Sequence, residues 1–190
     1  AHGYLLHAFL SPITNQRSDA HGGDAAGRMK LPLRVAEAVR AVIPDDMPLL
    51  WRASLEDNLP GGLTLADSMP VMRALKARGV DMVDCSAGGI GLPVSMSQVP
   101  QTHGFQAPLA AKVKQEVGIP TMAVGLITDP VLAEQIIAEG QADAVALARE
   151  FIADPAWSYR AARALGVGKP ADILPPSYAF YLNRRAAAQG

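Results

Sequence analysis

The chain has 190 residues, 49% of them apolar and 18% charged, with a formal net charge of −1. These values describe one globular domain with a sizeable core, and they exclude a disordered chain and the basic footprint of a nucleic-acid or anionic-membrane binder. A single cysteine, Cys85, excludes an internal disulfide and a cysteine-built metal cluster, and no apolar run is long enough to span a bilayer. The expectation is a cytoplasmic protein with no metal site and with neither nucleic acid nor membrane among its partners.

The opening residues, Ala1-His2-Gly3-Tyr4-Leu5-Leu6-His7, carry no capping signal and read as an extended segment running into a loop. On such a segment His2 and Tyr4, two apart, face the same side. Polar tips of this kind belong to the C-terminal end of a β-strand whose body lies upstream, so the chain is expected to be the second half of a larger enzyme. Residues 28–43 have the spacing of an amphipathic helix closed by Pro44, and Pro48 to Ala53 form a short apolar strand that bears Arg52 near its end. Thr64 followed by Asp67 opens a helix over 64–79 that stops at Gly79. Val80 to Cys85 is the next strand, followed by a glycine-containing loop to about residue 105 and a helix over 107–117 ended by Gly118. Pro120 to Val124 is a strand running into Gly125. Asp129-Pro130 starts a helix that Gly140 ends, and Ala142 to Leu147 is the last strand, with helical segments near 150–153 and 156–165.

Strands that are apolar on both faces and alternate with helices imply a parallel sheet. An open doubly wound sheet and a (β/α)8 barrel compete for that pattern. Gly88-Gly89-Ile90-Gly91 does not give the dinucleotide fingerprint between strand and helix. Polar and glycine-bearing residues gather instead after the strands, where barrels carry their sites. The fold expected is α/β: the C-terminal half of a (β/α)8 TIM barrel, from the end of strand 4 through helix 8, over residues 1–165, followed by a C-terminal tail over 166–190.

His2 and Tyr4 can bind a substrate oxygen or flank it; the alternative is a half-buried strand end meeting backbone groups. Arg52 at a barrel rim can stabilise negative charge on a ring, or it can pair with Glu56 or Asp57. Ser86-Ala87-Gly88-Gly89, Gly125 to Thr128 and Ala148-Arg149 follow successive strands and suit an anion, with Arg149 adding a charge-assisted bond to a phosphate. Ser86 has no base beside it in sequence, Cys85 reads as a core residue, and His7, His21 and His103 have no partners at metal-ligand spacing.

Taken in order, His2 to Pro12, Asn15 to Gly23, Arg52-Ala53-Ser54, Ser86 to Gly89, Ala123 to Thr128 and Ala146 to Glu150 resemble the C-terminal half of the old yellow enzyme family, in its thermophilic-like ene-reductase branch. The resemblance implies an FMN-dependent barrel reduced by NAD(P)H, which passes hydride to an activated alkene. By that likeness His2 is the second of a histidine pair holding the substrate's carbonyl or nitro oxygen, and Tyr4 is an aromatic beside it. Arg52 lies against the flavin's pyrimidine edge, and Gly125, Ala148 and Arg149 contact the FMN phosphate. The first histidine and the proton-donating tyrosine are expected upstream of Ala1, so no catalytic proton donor is assigned here. Ala148 stands where the family usually has glycine, and the segment His21 to Arg28 also departs from the family pattern. The tail from Leu174 to Arg185 looks like one that reaches a neighbouring subunit, with a plain surface tail as the alternative and no role assigned to Arg184 or Arg185; a homo-oligomer is expected for the intact protein. Two other readings compete: a non-catalytic half-barrel that associates with a partner or with itself, and a phosphate-binding barrel enzyme without flavin.

Overall fold

The computed structural model describes residues 1–91 and 101–188. Four parallel strands are hydrogen-bonded in their chain order: β1 (Leu50–Ser54), β2 (Met82–Ser86), β3 (Thr121–Ala123) and β4 (Ala144–Val145). The helices among the described residues are α1 (Leu5–Leu10), α2 (Ala25–Arg40), α3 (Leu65–Lys76), α4 (Ala107–Val117), α5 (Pro130–Ala138), α6 (Arg149–Ala153), α7 (Trp157–Ala164) and, after a 3-10 turn at Pro170–Ile173, α8 (Pro176–Ala187). Each strand is thus followed by at least one helix, the parallel βα repeat expected from the sequence. Part of the expected loop after β2, residues 92–100, lies outside the described residues.

Local chemistry sets the boundaries. Thr64 and Asp67 form a reciprocal capping box, with Thr64 Oγ1 accepting from Asp67 N–H (3.2 Å) and Asp67 Oδ2 accepting from Thr64 N–H (3.0 Å). Asp129 caps α5 by accepting from Val131 N–H, and Gly118 ends α4 at φ 64°. The second helix starts at Ala25 rather than at residue 28, because the Asp24 carboxylate accepts from Gly27 N–H at 2.8 Å. It ends at Arg40, ahead of Pro44, in a turn closed by Val42 N–H on Val39 O. An acidic residue precedes both β2 and β4. Asp81 Oδ2 accepts from Leu49 N–H (2.7 Å) and Asp143 Oδ2 accepts from Thr121 N–H (2.9 Å), so each carboxylate ties the start of one strand to that of its neighbour.

The extended N-terminal segment expected from the sequence is not present. Tyr4 N–H donates to Ala1 O (3.2 Å) and Gly3 N–H donates to the His7 ring (2.9 Å), which curls residues 1–4 into a turn that leads directly into α1. His2 takes φ 55°, in the left-handed region. That reversal breaks the alternation on which a shared side for His2 and Tyr4 depended.

The strand register gives the sheet two unlike faces. Trp51, Ala53, Val83, Cys85, Thr121 and Ala123 are buried beneath Met72 and Leu75 of α3, Ala110 and Val113 of α4 and Ile136 of α5. Arg52, Asp84, Met122 and Ala144 are aligned in successive pairings on the opposite face and are not fully buried. Apolar burial at roughly 25 cal/mol per Å2 holds the helix-covered face together, and the opposite row carries the charged pair Arg52 and Asp84 beside Met122 and Ala144. Replacing Thr64 with Ala removes half of the capping box and should cost about 1 kcal/mol, seen in thermal denaturation as a Tm lower by roughly 2–4 °C.

Candidate functional site

A cavity of about 480 Å3 opens at the C-terminal tips of the strands. Ser86 and Ala87 line it after β2, Val124 to Thr128 after β3, and Ala146 to Glu150 after β4. His2, Arg52, Gln101, Phe105 and Gln106 complete the wall. Its volume suits a small organic ligand or cofactor. Of the residues singled out in the sequence, the structure brings His2, Arg52, Gly125, Ala148 and Arg149 to this one place. Tyr4 is left out: it is the N-cap of α1, is 78% exposed and does not line the cavity.

His2 is fixed at both ends. Its N–H donates to Ser54 Oγ (2.9 Å), and Ser54 Oγ donates to Gly88 O (2.8 Å). Its Nε2 lies 2.7 Å from Ser86 Oγ, which also reaches Gln106 Oε1 at 3.3 Å. A Cβ on Gly89 would stand 2.2 Å from His2 Cα, and one on Gly3 would stand 2.7 Å from Gly89 O. Gly89 therefore serves the contact between two backbones; it is not needed to admit a ligand. Burial, with the nearby Arg52 charge second, lowers the His2 pKa to about 4. The imidazole is therefore neutral near pH 7, a poor base for Ser86, and no carboxylate hydrogen-bonds its other nitrogen among the described residues. Ser86 and His2 do not form a nucleophilic triad.

Arg52 pairs with neither Glu56 nor Asp57. Its Nε lies 3.4 Å from Asp84 Oδ2 on the neighbouring strand, with the Arg52 side chain 47% exposed. Burial raises the Asp84 carboxyl pKa against the pull of Arg52, and Asp84 Oδ1 has no hydrogen-bond partner among the described residues. The ion pair is loose, and the guanidinium remains available to an anion in the cavity.

Gly125 has φ 112°, and a Cβ there would stand 3.0 Å from the Phe105 ring. Leu126 follows at φ 52°, a left-handed conformation that costs a non-glycine residue about 1–2 kcal/mol. The turn is held by Gly104 N–H on Gly125 O (2.8 Å), by His103 Nδ1 at 2.9 Å from Leu126 O, and by Trp157 Nε1–H on Thr128 O (3.0 Å). His103 is thus a brace for this loop. Ala148 precedes α6, and Arg149 is its first residue.

Three more residues form a buried cluster at the N-terminal turn, and nothing in the sequence marks their association. His7, Ser11 and Asp57 are buried, with His7 Nε2 2.8 Å from Asp57 Oδ1. Asp57 Oδ2 accepts from Ser11 Oγ (2.6 Å) and Leu63 N–H (2.7 Å). Burial pushes the Asp57 carboxyl up, but these donors outweigh it and leave its pKa below the ordinary value. His7 and Asp57 are fifty positions apart, so no local motif marks the pair. Gln106 lies in a loop and is equally unmarked.

A family model described as NADH:flavin oxidoreductase / NADH oxidase matches residues 1–166. The chain belongs to that family. It is 44% identical over 167 residues to an NADPH dehydrogenase of Geobacillus thermodenitrificans (strain NG80-2), an alignment that takes in 88% of this chain and 47% of the relative. A Thermoanaerobacter brockii NADH oxidase is 38% identical over 162 residues, covering 85% of this chain and 25% of that protein. Among solved structures, a 2-naphthoyl-CoA reductase complex superposes with a TM-score of 0.75 at 27% identity, over 91% of this chain and 26% of that one. A mutant morphinone reductase in complex with tetrahydroNAD gives 0.66 at 26% identity, over 86% and 42%. The chain spans about half the length of the NADPH dehydrogenases it matches, and its parallel βα units form the C-terminal half of a (β/α)8 barrel.

The family implies FMN, and the residues present fit it. Arg52 offers a half-exposed guanidinium to the cavity, Arg149 a second cation, and the turns after β3 and β4 a wall of small and backbone groups. No helix among the described residues is long and apolar enough to cross a membrane.

Two measurements check this electrostatic picture. The His2 ring should titrate by NMR with a midpoint near 4. Because that value lies below the unfolded one, its contribution to stability should fall as pH drops from about 6.5 to about 4, then level off. Burial, with Asp84 second, raises the Cys85 pKa to about 12, so a thiol reagent should leave the native protein unmodified at pH 8 and react once it is denatured.

Proposed function

We propose that the protein is a cytoplasmic, homo-oligomeric FMN-dependent NAD(P)H oxidoreductase of the ene-reductase type, and that this chain supplies the wall of its site that holds the flavin phosphate and a substrate oxygen. The observation that carries the reading is the convergence of Arg52, Arg149 and His2 on one cavity at the tips of a parallel sheet. The similarity to NADPH dehydrogenases supports it. The substrate class is an activated alkene or a related electrophile.

When bound, FMN supplies the hydride chemistry, with NAD(P)H as reductant. Arg149, Ala148 and Gly125 would hold its phosphate, through the guanidinium and the backbone of the two turns. Arg52 would hold negative charge on the ring, and its loose contact with Asp84 leaves it able to do so. His2 would donate to the substrate's carbonyl or nitro oxygen. As a neutral ring it has one N–H to give. Ser86 has one hydroxyl proton; given to Nε2 at 2.7 Å in place of the longer bond to Gln106 Oε1 at 3.3 Å, it directs the imidazole proton outward and leaves Nδ1–H for the substrate. Desolvation around His2 strengthens such a bond.

The single edges of β1 and β4 favour a second reading, in which this half associates with another polypeptide or a second copy without catalysis of its own. Flavin content separates the two. The intact, full-length protein should be yellow, should bleach anaerobically with NADPH, and should recover its colour with 2-cyclohexenone, whereas this half alone should be inactive; a colourless intact protein that binds no flavin would overturn the first reading. Arg149→Gln should weaken FMN binding by about tenfold or more, while riboflavin, which lacks the phosphate, binds as before.

A further inference from the structure

His7 and Asp57 form a buried pair that the proposed chemistry leaves unused, and its hydrogen bonds leave one arrangement of protons. Gly3 N–H donates to His7 Nδ1 at 2.9 Å, so Nδ1 carries a lone pair. Nε2 must then carry the proton, and it faces Asp57 Oδ1 at 2.8 Å. Ser11 O–H and Leu63 N–H occupy the other carboxylate oxygen, which fixes Asp57 in place. Neither His7 nor Asp57 lines the cavity. The amide they hold belongs to Gly3, the residue directly after His2, and His2 is one of three non-glycine residues with positive φ among the described residues. A turn in that conformation needs its neighbours to hold it. Ser54 takes the His2 N–H on one side, and His7 takes the Gly3 N–H on the other.

We infer that His7 is a positioning residue for His2. Asp57 selects the tautomer in which His7 Nδ1 accepts from Gly3 N–H, and that bond holds the His2–Gly3 turn in the left-handed form that carries the imidazole to Ser86 and the cavity. The inference rests on the reading that His2 binds the substrate oxygen. It also explains why an imidazole occupies this dry site: one ring both accepts from the turn and donates to the carboxylate.

Two near-isosteres separate the two ends of the ring. Asparagine places an amide oxygen where Nδ1 sits, and so keeps the acceptor for Gly3; glutamine places an amide nitrogen where Nε2 sits, and so keeps the donor to Asp57. In the FMN-loaded protein, para-chlorophenol is titrated and followed by the long-wavelength absorbance of a phenolate stacked on oxidised flavin. His7→Asn should bind within about threefold of wild type and His7→Gln about tenfold or more weaker, although both lose one buried hydrogen bond and similar Tm. Equal weakening of the two, in step with Tm, would reduce His7 to a packing role and overturn the inference; so would wild-type binding by His7→Gln. His2→Ala is the control: unchanged affinity there removes the reading of His2 and this inference with it, whereas weakening in His2→Ala alone removes only the inference. Should either His7 variant fail to fold, 15N NMR of the wild-type ring decides, since the Nε2–H tautomer is required and the Nδ1–H tautomer contradicts it.

Discussion

Asp57 lies where the loop after β1 meets the N-terminal helix, and its two carboxylate oxygens are shared among three donors from three places in the chain. His7 and Ser11 come from α1 and its C-cap, and Leu63 comes from the far side of the loop. Without the carboxylate, each of these buried donors would be left unpaired, at about 1–3 kcal/mol apiece. That cluster docks the first eleven residues onto the sheet. Everything His2 does, including its reach to Ser86, follows from where the docking puts it.

The sheet itself is built for a division of labour. Its helix-covered face carries Val83, Cys85 and Ala123, all fully buried, and one polar side chain, Thr121, whose Oγ1 has no hydrogen-bond partner among the described residues. Its other face carries Arg52 and Asp84 in register, the two charges of a loose pair, with one Asp84 oxygen unsatisfied among the described residues. A buried carboxylate oxygen without a donor is expensive in a structural sheet and understandable in one that lines a binding site. The helix-covered face of these four βα units shares one buried apolar cluster with Leu10 of α1 and with Leu33 and Ala36 of α2.

Much of this architecture is legible in the residues. Thr64 with Asp67, Asp129 before Pro130, and Gly118 mark helix ends through local chemistry, and local chemistry is written in local sequence. Arg52, Gly125 and Arg149 stand out because each follows or ends a recognisable strand and the family resemblance assigns each a task. The N-terminus departs from the expected extended form because its conformation is imposed from outside: the His7 ring, held by Asp57, captures the Gly3 amide, and no pattern within residues 1–7 announces that partner. Tyr4 departs for the same reason, since its expected place beside His2 depends on strand alternation. The role of Gly89 is hidden for the opposite reason. Glycine in a loop after a strand reads as room for a ligand, whereas here it makes room for the main chain of His2.

That last contact bears on how such a pocket can diversify. Where two main chains touch, neither partner has a side chain to exchange, so the floor under His2 tolerates almost no mutational drift. Variation in what the pocket accepts is pushed outward to side chains that project into it from elsewhere, Gln101, Phe105 and Gln106 among them. A library aimed at altered substrate scope would find its useful diversity at those three positions and its dead clones at Gly3 and Gly89.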